Sequence, residues 1–389
     1  MNRMEERLTP LLKSFVEKGP RGCSLEVMRQ GKTLYRHCEG YADTQTQTPI
    51  TPDTIFRIYS MSKVITCTAA LMLYERGLFA LNDPLEEYLP EFKNPRVFRY
   101  SANNSLSVSP AARSIRIRDL FTMTSGYPYP GQDTETARQM GKYLDELDKG
   151  NFPQDGTPPL RAFTKALAAI PLAFDPGSHW MYGMSHDILG ALIETLAGKP
   201  FGQFLNDEIF TPLGMRDTAF RITQEKRGRL CGMYGFEEGG VINQITHMDK
   251  DFQPGAVFEG GGGGLLSTLG DYGRFAHLMA LGELDGVRLL SPHTLRLMAS
   301  NHLNAAQMAD YSWSQLTGYG YGLGVRVLVD PAAGGCASSV GEFGWAGMAG
   351  TLVYIDPAEQ LSAVYMQNFL PNQETLHMPL LRDVIYGAL

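Results

Sequence analysis

Long apolar runs are missing from this sequence. The charge-free stretch Val64 to Tyr74 is too short to span a bilayer, so no membrane partner is expected. Basic clusters are missing too: Lys and Arg occur singly or in pairs and the net charge is -7, which argues against nucleic acid. The five cysteines (Cys23, Cys38, Cys67, Cys231, Cys336) are an odd number with no Cys-x-x-Cys, a pattern of reduced thiols rather than a disulfide framework. Eight dispersed histidines show neither His-Glu-x-x-His nor the Cys/His spacing of a zinc site, so no metal is expected. The glycine run Gly260 to Gly264 lacks a following Gly-Lys-Ser/Thr, which leaves no phosphate loop and no cofactor to expect. Its expected job is close backbone approach at a site wall. The start, Met1 to Arg7, has no apolar leader core, and the cytoplasm is the expected compartment. Leu8, Leu11, Leu12 and Phe15 then recur at helical spacing, as on an amphipathic surface helix.

What is present suffices for two lobes and a sizeable core: 389 residues, 43% of them hydrophobic. Short runs at Cys23 to Met28 and Thr33 to Cys38, with Gly31 between them, read as a hairpin. Thr54 to Tyr59 reads as a further strand that ends directly at Ser60, and Met61 to Arg76 as a helix closed by Gly77. The middle reads as helical and loopy. Arg113 to Thr124 leads into Ser125-Gly126, Ser185 to Ala197 carries a helical pattern with Ser185 as its N-cap, and Tyr127 to Pro159 reads as a long irregular region. Strands return at Tyr319 to Leu328, and Thr351 to Ile355 pairs with Leu361 to Met366 across Asp356-Pro357-Ala358-Glu359. The expected fold class is α/β (α+β). One antiparallel sheet is built from both chain ends and flanked by helices (1–80 and 255–389), and a mostly helical unit (81–254) is inserted, with the site at their junction.

Ser60-Met61-Ser62-Lys63 is the single Ser-x-x-Lys of the chain. Residues three apart share a helix face, so the two side chains meet if a helix begins at Ser60. The residues that follow are apolar on every side, which marks a buried helix with Lys63 as its one charge between Met61 and Tyr74. Burial and the positive end of the helix dipole both push a lysine pKa down. A neutral amine beside a hydroxyl can take its proton, and that activates a serine without histidine. The plainer alternative makes Ser60 an N-cap and lets Lys63 snorkel to solvent.

Five phrases resemble, in order, serine β-lactamases of the class C type, the carboxylesterases related to them (family VIII esterases) and penicillin-binding proteins. Ile55 to Lys63 looks like their nucleophile segment. Ile117 to Gly126 looks like their Leu-Leu-Thr-His-Thr-Ser-Gly stretch, with Met123 in place of His. Pro176 to Tyr182 is similar to the segment bearing their catalytic tyrosine. Phe210 to Thr218 and Gly262 to Thr268 match two more phrases. The resemblance implies a β-lactamase/transpeptidase-like fold and an acyl-enzyme on Ser60, with Lys63 assisting as base, Tyr182 relaying the proton to the leaving group, and either of the two taking the first proton. It also implies an oxyanion hole from the backbone N–H groups of Ser60 and Met348. The family's third motif falls at Trp345-Ala346-Gly347, where Trp345 and Ala346 replace the Lys and Thr that hold a lactam's carboxylate in β-lactamases.

An aromatic wall at Trp345, with Met184 where the relatives carry Asn, favours an apolar ester over a charged lactam. The expected activity is therefore a carboxylesterase acting on a small-molecule ester, with the oligomeric state unread. A β-lactamase, a D-amino-acid amidase or peptidase, an acyltransferase and a non-catalytic ligand-binding module are the alternatives. Gly183-Met184-Ser185-His186-Asp187 is a near miss to the Gly-x-Ser-x-Gly elbow, lacking its last glycine and a preceding strand. His179 and His186 flank Tyr182 and read as structural histidines.

Overall fold

The computed structural model describes residues 3–101, 103, 105–148, 157–237 and 240–389. Gln30 and Gly31 both adopt positive φ (50° and 77°) and turn the strand Gly22–Arg29 back into Lys32–Asp43. That tight reversal leaves Gly22–Arg29 free on its other edge, where the chain's far end takes it up. Leu361–Gln367 pairs with it antiparallel, from Cys23 opposite Gln367 to Arg29 opposite Leu361. The resulting eight-stranded antiparallel sheet runs Tyr319–Tyr321, Arg326–Leu328, Phe343–Gly344, Leu352–Asp356, Leu361–Gln367, Gly22–Arg29, Lys32–Asp43, Thr48–Pro49. Five strands from the C-terminal part thus stand beside three from the N-terminal part, as expected of one sheet built from both ends.

Helices cover both faces of this sheet, and strand alternation shows which residues meet them. Tyr365 meets Phe15 of the helix Arg3–Lys18 and His377 of the helix Glu374–Gly387 on one face. Ser362 meets His277 of the helix Leu269–Leu281 on the other. With both faces covered, every residue of Leu361–Gln367 is buried, which is why that strand reads as a nearly unbroken apolar run. Met4, Leu8, Leu12 and Phe15 are the buried stripe of the N-terminal helix. The five cysteines are unpaired. Among the described residues, no helix is long and apolar enough to cross a membrane.

Several local expectations need correction. Tyr319 to Leu328 is a hairpin of two short strands rather than one strand. A side chain on Gly322 would fall 2.1 Å from the Met298 carbonyl, and Gly324 turns the chain at φ 85°; both glycines are needed where the strand breaks. The Tyr127 to Pro159 region holds a helix, Glu135–Asp148, and its residues 149–156 lie outside the described residues. Helix within Arg113 to Thr124 is confined to Ile117–Phe121. Ser185 is not an N-cap: Met184 occupies that position, and the Ser185 hydroxyl shares a buried 2.8 Å hydrogen bond with Ser125. The strand before Ser60 is only Ile55–Arg57, paired with Leu266–Thr268.

Candidate active site

That short strand and the helix Ser62–Glu75 are joined by a single 3-10 turn, Tyr59–Met61, which carries Ser60. Tyr59 enters it at φ 41°, a left-handed conformation that a bulky residue adopts only when its surroundings impose it. Its ring is fixed edge-on against Phe252, with centroids 5.7 Å apart. Strand, strained turn and helix together set Ser60 at the helix start, where a backbone N–H has no helical partner. From Ser62 to Leu73 every side chain of the helix is buried, and Lys63 is 0% exposed.

The Lys63 amine lies 3.1 Å from Ser60 Oγ and donates to Tyr129 Oη at 2.9 Å and to the Gly262 carbonyl. Burial lowers its pKa from 10.5 to about 7, against a smaller upward pull from Asp187. An amine that donates to Gly262 and Tyr129 keeps its lone pair for the third neighbour, the Ser60 hydroxyl. The ring of Tyr182 lies over the same amine, 4.6 Å to its centroid. Burial pushes the Tyr182 phenol well above its ordinary range, with hydrogen bonding from Ser60 and Trp345 acting the other way. At neutral pH Tyr182 is a protonated phenol. The Trp345 indole N–H donates to its oxygen at 2.9 Å.

Glycines let these segments converge. A side chain on Gly183 would fall 1.9 Å from the Tyr127 carbonyl, so only glycine lets the 127–129 segment lie against 182–184. The rings of Tyr129 and Tyr182 come within 5.4 Å as a result. One on Gly347 would fall 2.5 Å from the Ile58 carbonyl, so glycine brings the end of the sheet against the segment that delivers Ser60.

Ser60, Tyr182, Met184, Trp345, Ala346, Gly347 and Met348 all line one cavity of about 760 Å³, and Lys63 lies beneath its floor. Tyr59, Phe163, Phe252, Phe258 and Trp313 add aromatic rings to its wall. Arg326 reaches the cavity but is paired with Glu342 at 3.2 Å. The two histidines stay outside. His179 pairs with Asp310 on the surface, and burial takes the pKa of His186 down to about 3, leaving it neutral against the Phe121 carbonyl. The glycine run approaches as expected, since a side chain on Gly261 would fall 2.4 Å from the His186 carbonyl. Two side chains at the amine, Tyr129 and Asp187, were missed as site residues, and Gly262 was expected only as part of the glycine run. Tyr129 stands just past the Ser125-Gly126 phrase and could have been found as its continuation. Among the described residues, no group of three or more His, Cys, Asp or Glu side chains could hold a metal ion.

A sheet assembled from both chain ends and a buried Ser-x-x-Lys helix match a known class of protein. The chain belongs to the Beta-lactamase family, whose model matches residues 6–385. It is 31% identical over 360 residues to Protein Rv1367c of Mycobacterium tuberculosis, covering 90% of this chain and 86% of that one. It is 30% identical over 381 residues to Esterase EstB of Burkholderia gladioli, covering 93% and 89%. A solved structure titled EstCE1, a hydrolase with promiscuous acyltransferase activity, superposes with a TM-score of 0.82 over 99% of both chains at 24% identity.

Proposed function

We propose that this chain hydrolyses carboxylic esters through an acyl-enzyme on Ser60, at the junction of the sheet unit (1–80 and 255–389) and the inserted unit (81–254). The observation that carries the reading is a wholly buried lysine amine 3.1 Å from the hydroxyl, with its pKa lowered to about 7. Ser60 Oγ attacks the ester carbonyl while its proton passes to Lys63 Nζ. The N–H groups of Ser60 and Met348 hold the oxyanion. Tyr182, its ring over the amine and its phenol hydrogen-bonded to Ser60, hands its proton to the departing alkoxide and recovers one from the Lys63 ammonium. Water then enters by the reverse route and frees the acid.

An ester rather than a lactam is favoured by Trp345 and Ala346, which offer neither cation nor hydroxyl to a substrate carboxylate, and by the aromatic lining. The similarity to Esterase EstB points the same way. With p-nitrophenyl acetate, p-nitrophenyl butyrate and nitrocefin, kcat/KM for the better ester is expected to exceed that for nitrocefin by about 100-fold. Rapid nitrocefin cleavage with no ester hydrolysis would refute the assignment. Acyl transfer is a second reading, supported by a cavity with room for an acyl group and an acceptor together. An added alcohol would then collect the acyl group in place of water.

Tyr182→Phe keeps the ring over the amine and removes the relayed proton. Its kcat is expected to fall by about 100- to 1,000-fold with KM little changed. The loss should shrink for leaving groups that need no proton, such as p-nitrophenolate, and widen for alkyl esters. An equal loss for both leaving groups would exclude Tyr182 as the relay.

A further inference from the structure

Asp187 lies in the first turn of the helix Ser185–Ala197, which packs on the helix bearing Lys63, and it is 5% exposed. Its Oδ1 accepts the Gly262 N–H at 3.0 Å, and the carbonyl of the same Gly262 accepts the Lys63 amine. A side chain on Gly262 would fall 2.6 Å from Asp187 Oδ2 and 2.8 Å from Tyr129 Oη, so only glycine fits between them. Proton transfer among serine, lysine and tyrosine does not itself require a carboxylate. A buried one is expensive to keep, and this one is kept beside the reacting amine.

The other groups that face Lys63 carry no charge at neutral pH. Burial holds the Tyr129 and Tyr182 phenols and the Cys67 thiol protonated and holds His186 unprotonated, and Ser60 is a neutral hydroxyl. Asp187 is the carboxylate that pulls the pKa of this amine upward. Burial raises the pKa of Asp187, opposed by the Gly262 N–H and by Lys63.

We propose that Asp187 is a positioning residue for the Lys63 amine: through the Gly262 peptide it aims the amine at Ser60, and its charge sets the pH at which the amine becomes a base. This rests on the reading that Lys63 activates Ser60. A negative neighbour favours the ammonium, so Asp187 holds the lysine pKa up against burial. Asp187→Asn keeps an acceptor for the Gly262 N–H and removes the charge. The acid limb of kcat/KM should then move down by about one pH unit, with plateau kcat within about threefold of native. Asp187→Ala loses the acceptor too, and its plateau kcat should fall by about 10- to 100-fold. Gly262→Ala displaces the peptide but keeps the charge, so it should lower the plateau similarly with the limb unmoved, and it serves if Asp187→Ala does not fold.

The same pH series is read on Ser60 labelling by a fluorophosphonate, followed by intact mass, so the inference does not depend on finding a good ester. An Asp187→Asn limb that coincides with native overturns the charge role. A native plateau in both Asp187→Ala and Gly262→Ala overturns the bridge. Labelling that shifts as stated in a protein hydrolysing no ester upholds the inference and removes the esterase reading. Native protein that does not label at Ser60 removes both.

Discussion

Ser60→Ala is expected to lower kcat/KM for p-nitrophenyl butyrate by about 10⁴-fold or more and to abolish labelling by a fluorophosphonate, with the fold intact. The size follows from chemistry that cannot be shared out: without Oγ there is no covalent intermediate, and the amine and phenol have nothing to deprotonate or reset. The fold should tolerate the change because the side chain sits at a cavity wall, where its hydroxyl meets only the polar ends of Lys63 and Tyr182. Thermal stability should stay within about 0.5 kcal/mol of native, as for substitutions outside the core. The informative control is Ser185→Ala, in the stretch that nearly matches a hydrolase elbow. That hydroxyl is buried and bonded to Ser125, so its loss should cost about 1 kcal/mol of stability and leave labelling intact. If Ser185→Ala alone abolished labelling, or Ser60→Ala kept the native rate, the nucleophile would be elsewhere.

What could be read from residues alone was whatever local periodicity and turn chemistry decide. The first hairpin, the Asp356 turn and the helix Ser185–Ala197 needed only neighbours in sequence. Lys63 was legible for a subtler reason: a helix apolar on every side has no surface to which a lysine can escape, and its amine is indeed wholly buried. Legibility ended where a partner comes from far along the chain. Gly322 breaks a strand because Met298 passes behind it. Tyr129 matters because Gly183 lets its segment lie against the one carrying Tyr182 and brings it to an amine 66 residues earlier. Asp187 reads locally as a favourable first-turn charge, whereas its partner is the peptide at Gly262, 75 residues on. A helix pattern reports only that residue's own helix. The contact that gives it a role is made by another segment.

Lys63→Met is expected to make the protein inactive and, below neutral pH, more stable. Activity should fall by about 10³-fold or more, since the proton of Ser60 loses its acceptor. The stability effect follows from the displaced pKa. In the unfolded chain the amine titrates near 10.5, and in the fold at about 7. Between those values the unfolded chain holds a proton that the folded one has released, so native stability climbs as pH rises through that window. Below pH 7 both states are protonated, and the native protein bears the full cost of a buried ammonium, on the order of 5 kcal/mol. Methionine has a similar shape and no such cost. It does leave the Gly262 carbonyl and the Tyr129 hydroxyl without this donor, a loss of about 1–3 kcal/mol at any pH. Thermal unfolding at pH 6 should therefore find the variant melting above native, with the difference shrinking or reversing by pH 9. A difference independent of pH would mean that the amine is not held neutral by the fold, and the activation of Ser60 would need another base. The expected result instead ties activity and instability to one atom, because the burial proposed to make Lys63 a base is the burial that the fold must sustain.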